Sequence, residues 1–365
     1  MTSSRRERVK SLQITSYPPP RAGWGVRVEF LKRALERRGD ACVVMNMGKN
    51  RTIPSPEYET VLGATDYVRK VIKFSLQGFV LHAHVNGSSP KGFILTLVAQ
   101  GLNLLSFRRS ILTFHAGLDQ VYFPLPKGRA LIPVYWLMFA VPRTIICNSA
   151  AVKNRIQDYG VPAHKIVPIP AFSCQYLEFT RRDLPTTVEH FYAQHPHVVF
   201  TYIRIRQGFY LDVLLDGFAR VAAANNDVGL VLCGVAGDID PELMSMVESK
   251  LGKPELADRV CVVDDLDHDE FLTAMTRASL YLRTPTSDGV ASSVLESLAL
   301  KVPVVASENG TRPHGCVTYS ADSPEDLSEK VLSVIADRQH VVDSLPPVVI
   351  EDTLATELAV LEGSM

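Results

Sequence analysis

The chain of 365 residues carries 38 lysines and arginines against 39 aspartates and glutamates, a formal net charge of −1, with a pI near 6.8. That balance excludes a general nucleic-acid binder, and the length allows two domains with ample core. The 46% hydrophobic share suits a soluble globular protein, and six scattered cysteines with no Cys-x-x-Cys pair read as reduced core residues rather than a zinc site or a disulfide framework.

The amino-terminal residues are charged, with no apolar signal region behind them. Ser11 to Ser16 reads as a first strand, Pro18 to Gly25 as a loop, Val26 to Arg38 as an amphipathic helix with Val28, Leu31 and Leu35 on one face, and Ala41 to Met45 as a second strand. Strand, glycine loop, helix, strand opens a Rossmann-like unit. The loop lacks a full G-x-G-x-x-G. Gly23 and Gly25 would let the backbone approach a phosphate or sugar closely, with a simple tight turn as the other reading. Phe79 to Val85 is the next strand, and its His82 and His84 alternate with apolar residues and read as structural. Ser89 and Pro90 are a good cap and first turn for a helix from Gly92 to Leu102.

Ser110 to Gly117 is a strand with its exit loop. It places His115 at a strand's carboxyl end, where ligands bind in open α/β sheets. The apolar run from Leu131 to Ala140, with Lys127 and Arg129 before it, is too short to span a membrane. Contact with a membrane surface and a buried helix explain it equally well. Arg143 to Ser149 is a strand ending at a helix cap, Ala150 to Tyr159 a helix, Gly160 its stop signal, and Lys165 to Pro170 the exit from the domain. Residues 171–196 lack strong periodicity and read as an interdomain linker with a short helix near Thr187 to Gln194.

A second alternation starts at His197. Val198 to Arg206 reads as a strand carrying Arg204 and Arg206 on the same side. Leu211 to Ala223, Pro241 to Lys250 and Asp269 to Ala278 read as helices, and Val228 to Cys233, Val260 to Val263 and Leu280 to Arg283 as strands. The acids from Asp264 to Glu270 suit a helix amino terminus better than a metal. A turn at Asp288 and Gly289 follows, then Ser292 and Ser293 where a helix starts and serine is a favoured cap. Val302 to Ala306 is the next strand. Free N–H groups and the helix dipole make such an amino terminus an anion site. Asp288 and Glu296, eight positions apart, both face a ligand lying over it. The final helix, Ile350 to Leu361, has Leu354, Leu358 and Leu361 on one face. No Ser-His-Asp, Cys-His, His-Glu-x-x-His or Asp-x-Asp pattern is present, so no metal site is expected.

The stretch from Thr286 to Ala306 resembles the acid-x7-acid signature of the retaining GT-B glycosyltransferases, family 4 (glycosyl transferases group 1), with Asp288 where a glutamate is usual and Glu296 as the second acid. Residues 143–170 and the loop holding Gly23 and Gly25 are similar to the same family, and the resemblance covers nearly the whole chain. It implies an α/β GT-B fold, two Rossmann-like domains facing across a cleft. Residues 1–175 would bind the acceptor, with the helix in 347–365 packing back on them, and residues 176–346 would bind a nucleotide sugar. It further implies a cytoplasmic or peripherally membrane-bound, metal-independent transferase without a cofactor. Such an enzyme moves a hexosyl group from a nucleotide-diphosphate sugar to a glycan or lipid-linked acceptor, in polysaccharide or glycoconjugate assembly.

By the same resemblance Asp288 contacts the donor sugar and Glu296 the ribose. Arg204, Arg206, Gly289, Ser292 and Ser293 hold the diphosphate, whose departure needs fixed positive charge or N–H dipoles. His115 acts near the sugars, and Arg312 is a candidate ligand contact. The chain departs from the family at Phe209, where a lysine is usual, so that Arg206 would supply the second charge, and at Thr311 to Gly315, where proline-glutamate is common. Those departures leave open a non-catalytic binding partner or a sugar-nucleotide epimerase on the same fold.

Overall fold

The computed structural model describes residues 8–18, 23–117, 120–125, 129–235, 239–286 and 291–363. They divide into two compact units, residues 1–175 with 351–365, and residues 176–350.

The first unit runs β1 (Lys10–Thr15), α1 (Gly23–Arg37), β2 (Ala41–Asn46), α2 (Ala64–Leu76), β3 (Val80–Val85), α3 (Pro90–Leu104), β4 (Ile111–Phe114), α4 (Ile132–Ala140), β5 (Thr144–Cys147), α5 (Ala150–Gln157) and β6 (Ile166–Pro168). Its strands form one parallel sheet in the order β2-β1-β3-β4-β5-β6. The second unit runs α6 (Thr186–Gln194), β7 (His197–Tyr202), α7 (Leu211–Ala224), β8 (Val228–Cys233), α8 (Pro241–Leu251), β9 (Val260–Val263), α9 (His268–Arg277), β10 (Leu280–Arg283), α10 (Ser292–Ala299), β11 (Val304–Ser307), β12 (Cys316–Tyr319), α11 (Pro324–Ala336) and α12 (Arg338–Ser344). Its parallel sheet has the order β12-β11-β10-β7-β8-β9. Parallel strands covered by helices on both faces are near-continuously apolar, as in β8, where all six residues are buried.

Helix starts follow local capping chemistry. Ser89 and Ser149 accept from the amides of Gly92 and Val152. Asp267 and Glu270 close a capping box, which starts α9 one residue before the expected position. The expected loop at Gly23 and Gly25 is instead the first turn of α1. β7 stops at Tyr202, short of the expected Arg206. α2 carries Tyr67, Val71 and Phe74 inward at helical spacing, a signal present in the sequence but not read from it. In each sheet the strand order reverses once, between β1 and β3 and between β7 and β10, and such switch points place ligands at the strands' carboxyl ends.

The last helix, α13 (Thr353–Glu362), belongs to the first unit and packs on α1. Arg27 Nε bonds Glu357 Oε2 at 2.6 Å, with both side chains 1% exposed. Arg143 Nη2 donates to the carbonyls of Val360 and Leu361 at the helix end. Among the described residues no helix is long and apolar enough to cross a membrane.

Candidate functional site

In the first unit the candidate groups gather at the carboxyl ends of β1, β3 and β4. The His115 backbone N–H donates to Val85 O at 2.7 Å, extending the parallel ladder by one residue. Its imidazole Nε2 lies 2.9 Å from His84 Nδ1. His84 Nε2 lies 2.7 Å from Gln13 Oε1, and Gln13 Nε2 donates to Ser11 Oγ at 2.7 Å. The His82 ring lies against His84 at a tilt of 31°, with ring centroids 4.3 Å apart, and its Nε2 lies 2.7 Å from Thr113 Oγ1. Trp24, in the first turn of α1, packs edge-on against His115.

Burial pushes the His82 imidazole down to about 3, helped by the positive charges of Arg27 and Arg143. Burial also holds His84 well below the ordinary histidine value, with His82, His115 and Arg27 adding to the effect. His115 is depressed for the same reason, with Arg27 next in weight. All three rings are therefore neutral near pH 7. His84 uses both ring nitrogens on protein partners, which leaves it no lone pair for a metal. The sequence reading took His84 as structural, whereas the structure joins it to His115. The signal was a polar Gln13 between the apolar Leu12 and Ile14, one strand away.

Gly23 opens α1 and is exposed, and Gly25 is buried one turn in. A Cβ at residue 25 would lie 3.2 Å from Ser16 O and 3.2 Å from Pro18 Cδ. Glycine there serves the close packing of the helix start on the chain leaving β1.

In the second unit the groups gather where β7 and β10 end. Because β7 stops at Tyr202, Arg204 and Arg206 lie in the loop beyond it, and strand alternation does not relate them. Arg204 is held on all sides. Its Nη1 donates to Gly234 O at 2.8 Å and to Asp265 Oδ2 at 3.1 Å, and its Nη2 pairs with Asp265 Oδ1 at 3.0 Å. Its Nη2 also meets the Tyr202 hydroxyl. Gly234 has φ +90°, and a Cβ there would meet the Tyr202 ring at 2.6 Å, so only glycine lets its carbonyl reach Arg204.

Arg206 is exposed and lies over the Phe209 ring, 5.3 Å from its centroid. Arg283, at the end of β10, lies 5.7 Å from the same centroid. Phe209 thus stands where a lysine was expected and gathers two guanidinium groups by cation–π contact. Arg283 was not singled out from the sequence. Its signal was an arginine closing the buried run Leu280 to Leu282.

α10 starts at Ser292, so both serines lie inside the helix, its cap is Ala291, and no described side chain caps it. Ser293 Oγ instead accepts from the Tyr281 hydroxyl at 2.8 Å. The first helical N–H groups have no acceptor within the helix. Glu296 is buried, 1% exposed, on the second turn. Asp288 and Gly289 lie outside the described residues. Arg312 Nε donates to Ser307 O at 2.8 Å, and its Nη2 donates to Ser307 Oγ at 3.0 Å and to Pro285 O. Those bonds tie together the exits of β10 and β11.

No curated protein matches the sequence significantly. The chain is similar in structure to HepE from Anabaena, solved in complex with UDP, with TM-score 0.69 over 98% of this chain and 100% of that one at 17% identity. HepE was also solved with UDP-glucose, at TM-score 0.68 and 16% identity over 97% of this chain and 100% of that one. Sucrose-phosphate synthase from Thermosynechococcus elongatus gives 0.64 at 14% identity over 97% and 98%. A UDP-N-acetylglucosamine 2-epimerase gives 0.63 at 13% identity over 98% and 97%. Residues 189–343, nearly all of the second unit, match the family model described as glycosyl transferases group 1, on a chain whose two six-stranded parallel sheets have the GT-B fold.

Proposed function

We propose that the protein is a metal-independent, retaining glycosyltransferase of the family-4 type, acting in polysaccharide or glycoconjugate assembly. The second unit binds a nucleotide-diphosphate sugar and the first binds a glycan or lipid-linked acceptor. The observation that carries the proposal is the uncapped start of α10 at the same sheet end as Arg204, Arg206 and Arg283. Helix N–H groups and guanidinium ions are what a departing diphosphate requires. The bond from the anomeric carbon to the diphosphate oxygen breaks, and a bond to the acceptor oxygen forms on the same face. The acceptor hydroxyl loses its proton to the departing phosphate. Asp288 orients the sugar, Glu296 holds the ribose, and His115 acts on a sugar hydroxyl. HepE, solved with UDP and UDP-glucose, supports a uridine donor.

The test is incubation of the purified protein with a panel of nucleotide sugars. Slow nucleotide release from one donor is expected. Binding without release would favour a non-catalytic partner, and interconversion of sugars would favour an epimerase, a second reading that the epimerase likeness supports. Ribose hydroxyls on a carboxylate contribute about 1.5–3 kcal/mol. Glu296→Gln is therefore expected to weaken nucleotide binding by roughly ten- to a hundredfold in calorimetry, and unchanged affinity removes Glu296 from the site.

We further propose that the first unit rests on an anionic membrane surface through α2, α3 and α4. α3 buries the polar Thr96, Gln100 and Asn103 beside Phe93 and Ala99, and exposes the apolar Ile94, Val98 and Leu104, with Leu105 exposed just past its end. α2 and α4 pack beside it, and Leu76, Phe107 and Trp136 are exposed on or just past these helices. Exposed apolar groups in such number mark an interaction surface. Charge selects the occupant. Between Asp66 and Asp158 the sequence holds eleven lysines and arginines and one acid, Asp119. Two copies of so basic a segment repel each other, whereas anionic lipid attracts it.

A further inference from the structure

We propose that Ser11, Gln13 and His84 form a positioning chain that determines which ring nitrogen of His115 carries its proton. The proposal rests on His115 acting on a sugar hydroxyl, as set out above.

Three neighbouring strands supply the chain, Ser11 and Gln13 from β1, His84 from β3, and His115 from the exit of β4. With the Gln13 amide placed so that its nitrogen faces Ser11, every further link runs in one direction. Gln13 Nε2 donates to Ser11 Oγ, which turns the amide oxygen toward His84. A carbonyl oxygen only accepts, so His84 Nε2 is the nitrogen that bears hydrogen. In a neutral imidazole the other nitrogen then accepts, so His84 Nδ1 takes a hydrogen bond from His115 Nε2–H. His115 Nδ1 is left with a lone pair and no hydrogen-bond partner among the described residues. It is the acceptor on offer to a sugar hydroxyl.

The direction depends on the Gln13 amide. Were it reversed, Nε2 would donate to His84, the proton of His84 would sit on Nδ1, and His115 would present an N–H outward instead of a lone pair. Ser11 and Gln13 are fully buried, so no bulk water competes for the amide.

The chain transmits orientation only while its rings stay neutral, and its surroundings favour that. His82 packs at a tilt against His84 and is itself neutral. The guanidinium of Arg27 disfavours a second proton on any of the three rings, and Glu357 balances Arg27. A purely structural filling of these strands needs no polar residue, as the all-apolar β8 demonstrates. Here the polar groups run unbroken to the half-buried His115.

The experiment reads the tautomer directly, by nitrogen-15 NMR of the histidine rings in the full-length protein, with His115→Asn to assign its signals. Wild type is expected to show His115 neutral with its proton on Nε2. In Gln13→Glu the new carboxylate draws a second proton onto His84. His84 Nδ1–H then donates to His115 Nε2, and the His115 proton moves to Nδ1. Ser11→Ala, a smaller change, releases the amide and is expected to give a mixture of both tautomers. Turnover with a working donor is expected to fall about a hundredfold in Gln13→Glu, with bare-nucleotide affinity unchanged. A wild-type proton on Nδ1, or an unmoved His115 tautomer in both folded variants, overturns the positioning chain. A moved tautomer with unchanged turnover instead overturns the role of His115 in transfer.

Discussion

Arg204 does not reach into open space. Asp265 takes both of its terminal nitrogens, and Gly234 and Tyr202 complete the cage. A guanidinium held this firmly is preorganised, and preorganised charge contributes more to a transition state than to ground-state binding. Arg204→Ala is expected to lower turnover by about 10²–10³, with a smaller effect on nucleotide affinity, as read by steady-state kinetics beside titration. Arg206→Ala, which removes a more exposed charge, is expected to show part of that loss. Wild-type turnover in both variants would place the diphosphate elsewhere. His82 allows a prediction about stability. Unfolded, its imidazole takes up a proton near pH 6.5. Folded, it resists until about pH 3. In that window the unfolded chain binds more protons, so stability present above pH 6.5 is lost as the pH falls toward 3. The urea midpoint is expected to be lower at pH 5 than at pH 7, and the drop to shrink in His82→Asn. Equal drops in both proteins would show that His82 does not drive it.

At the level of elements, the join between α1 and α13 rests on a buried ion pair separated by most of the chain. Arg27 and Glu357 are each 1% exposed, and Arg27 Nη1, Arg27 Nη2 and Glu357 Oε1 find no hydrogen-bond partner among the described residues. Removing one partner strands a charge, and such losses cost about 3–5 kcal/mol. Glu357→Ala is expected to destabilise the protein by about that much in urea unfolding. The apolar pair Arg27→Met with Glu357→Leu is expected to recover most of it, because no charge is then buried. A double variant as unstable as the single one would show that packing, rather than charge, dominates. The site helices follow a different logic. α10 was legible from its leucines and the two serines, yet its cap was not, because the helix takes in both serines and leaves Ala291 at the cap position. The reach of β7 was overestimated for a similar reason. Arg204 and Arg206 alternate like strand residues, but the chain leaves the sheet after Tyr202, and Arg204 bonds Gly234 and Asp265 from the loop beyond.

For the whole molecule, the segregated charge predicts behaviour at lipid surfaces. The protein is expected to co-sediment with phosphatidylcholine vesicles containing phosphatidylglycerol and to stay in solution with phosphatidylcholine alone. Binding should weaken as salt rises, by about fivefold for each lysine or arginine removed from the surface, and strongly in Leu105→Glu with Phe107→Ser. Equal binding to both vesicles would exclude a charge-selected surface, and dimerisation without lipid binding would make a second copy the occupant. Both alternating halves, the place of the second sheet and its group 1 match were legible in the chain itself, because strand and helix periods are local properties of the pattern. So were two candidates, His115 from its place at a strand's carboxyl end and Arg204 from the family resemblance. What the sequence did not determine are the contacts that give those residues their chemistry. Gln13, His84 and His115 stand 71 and 31 positions apart, and Arg204 and Asp265 stand 61 apart. Only parallel pairing of β1, β3 and β4, and of β7 with β8 and β8 with β9, brings such groups within hydrogen-bond reach. Which face of α3 turns inward is likewise decided by tertiary packing, because Gln100 and Asn103 find inward partners beside the buried Phe93 and Ala99, while Ile94 and Val98 stay exposed.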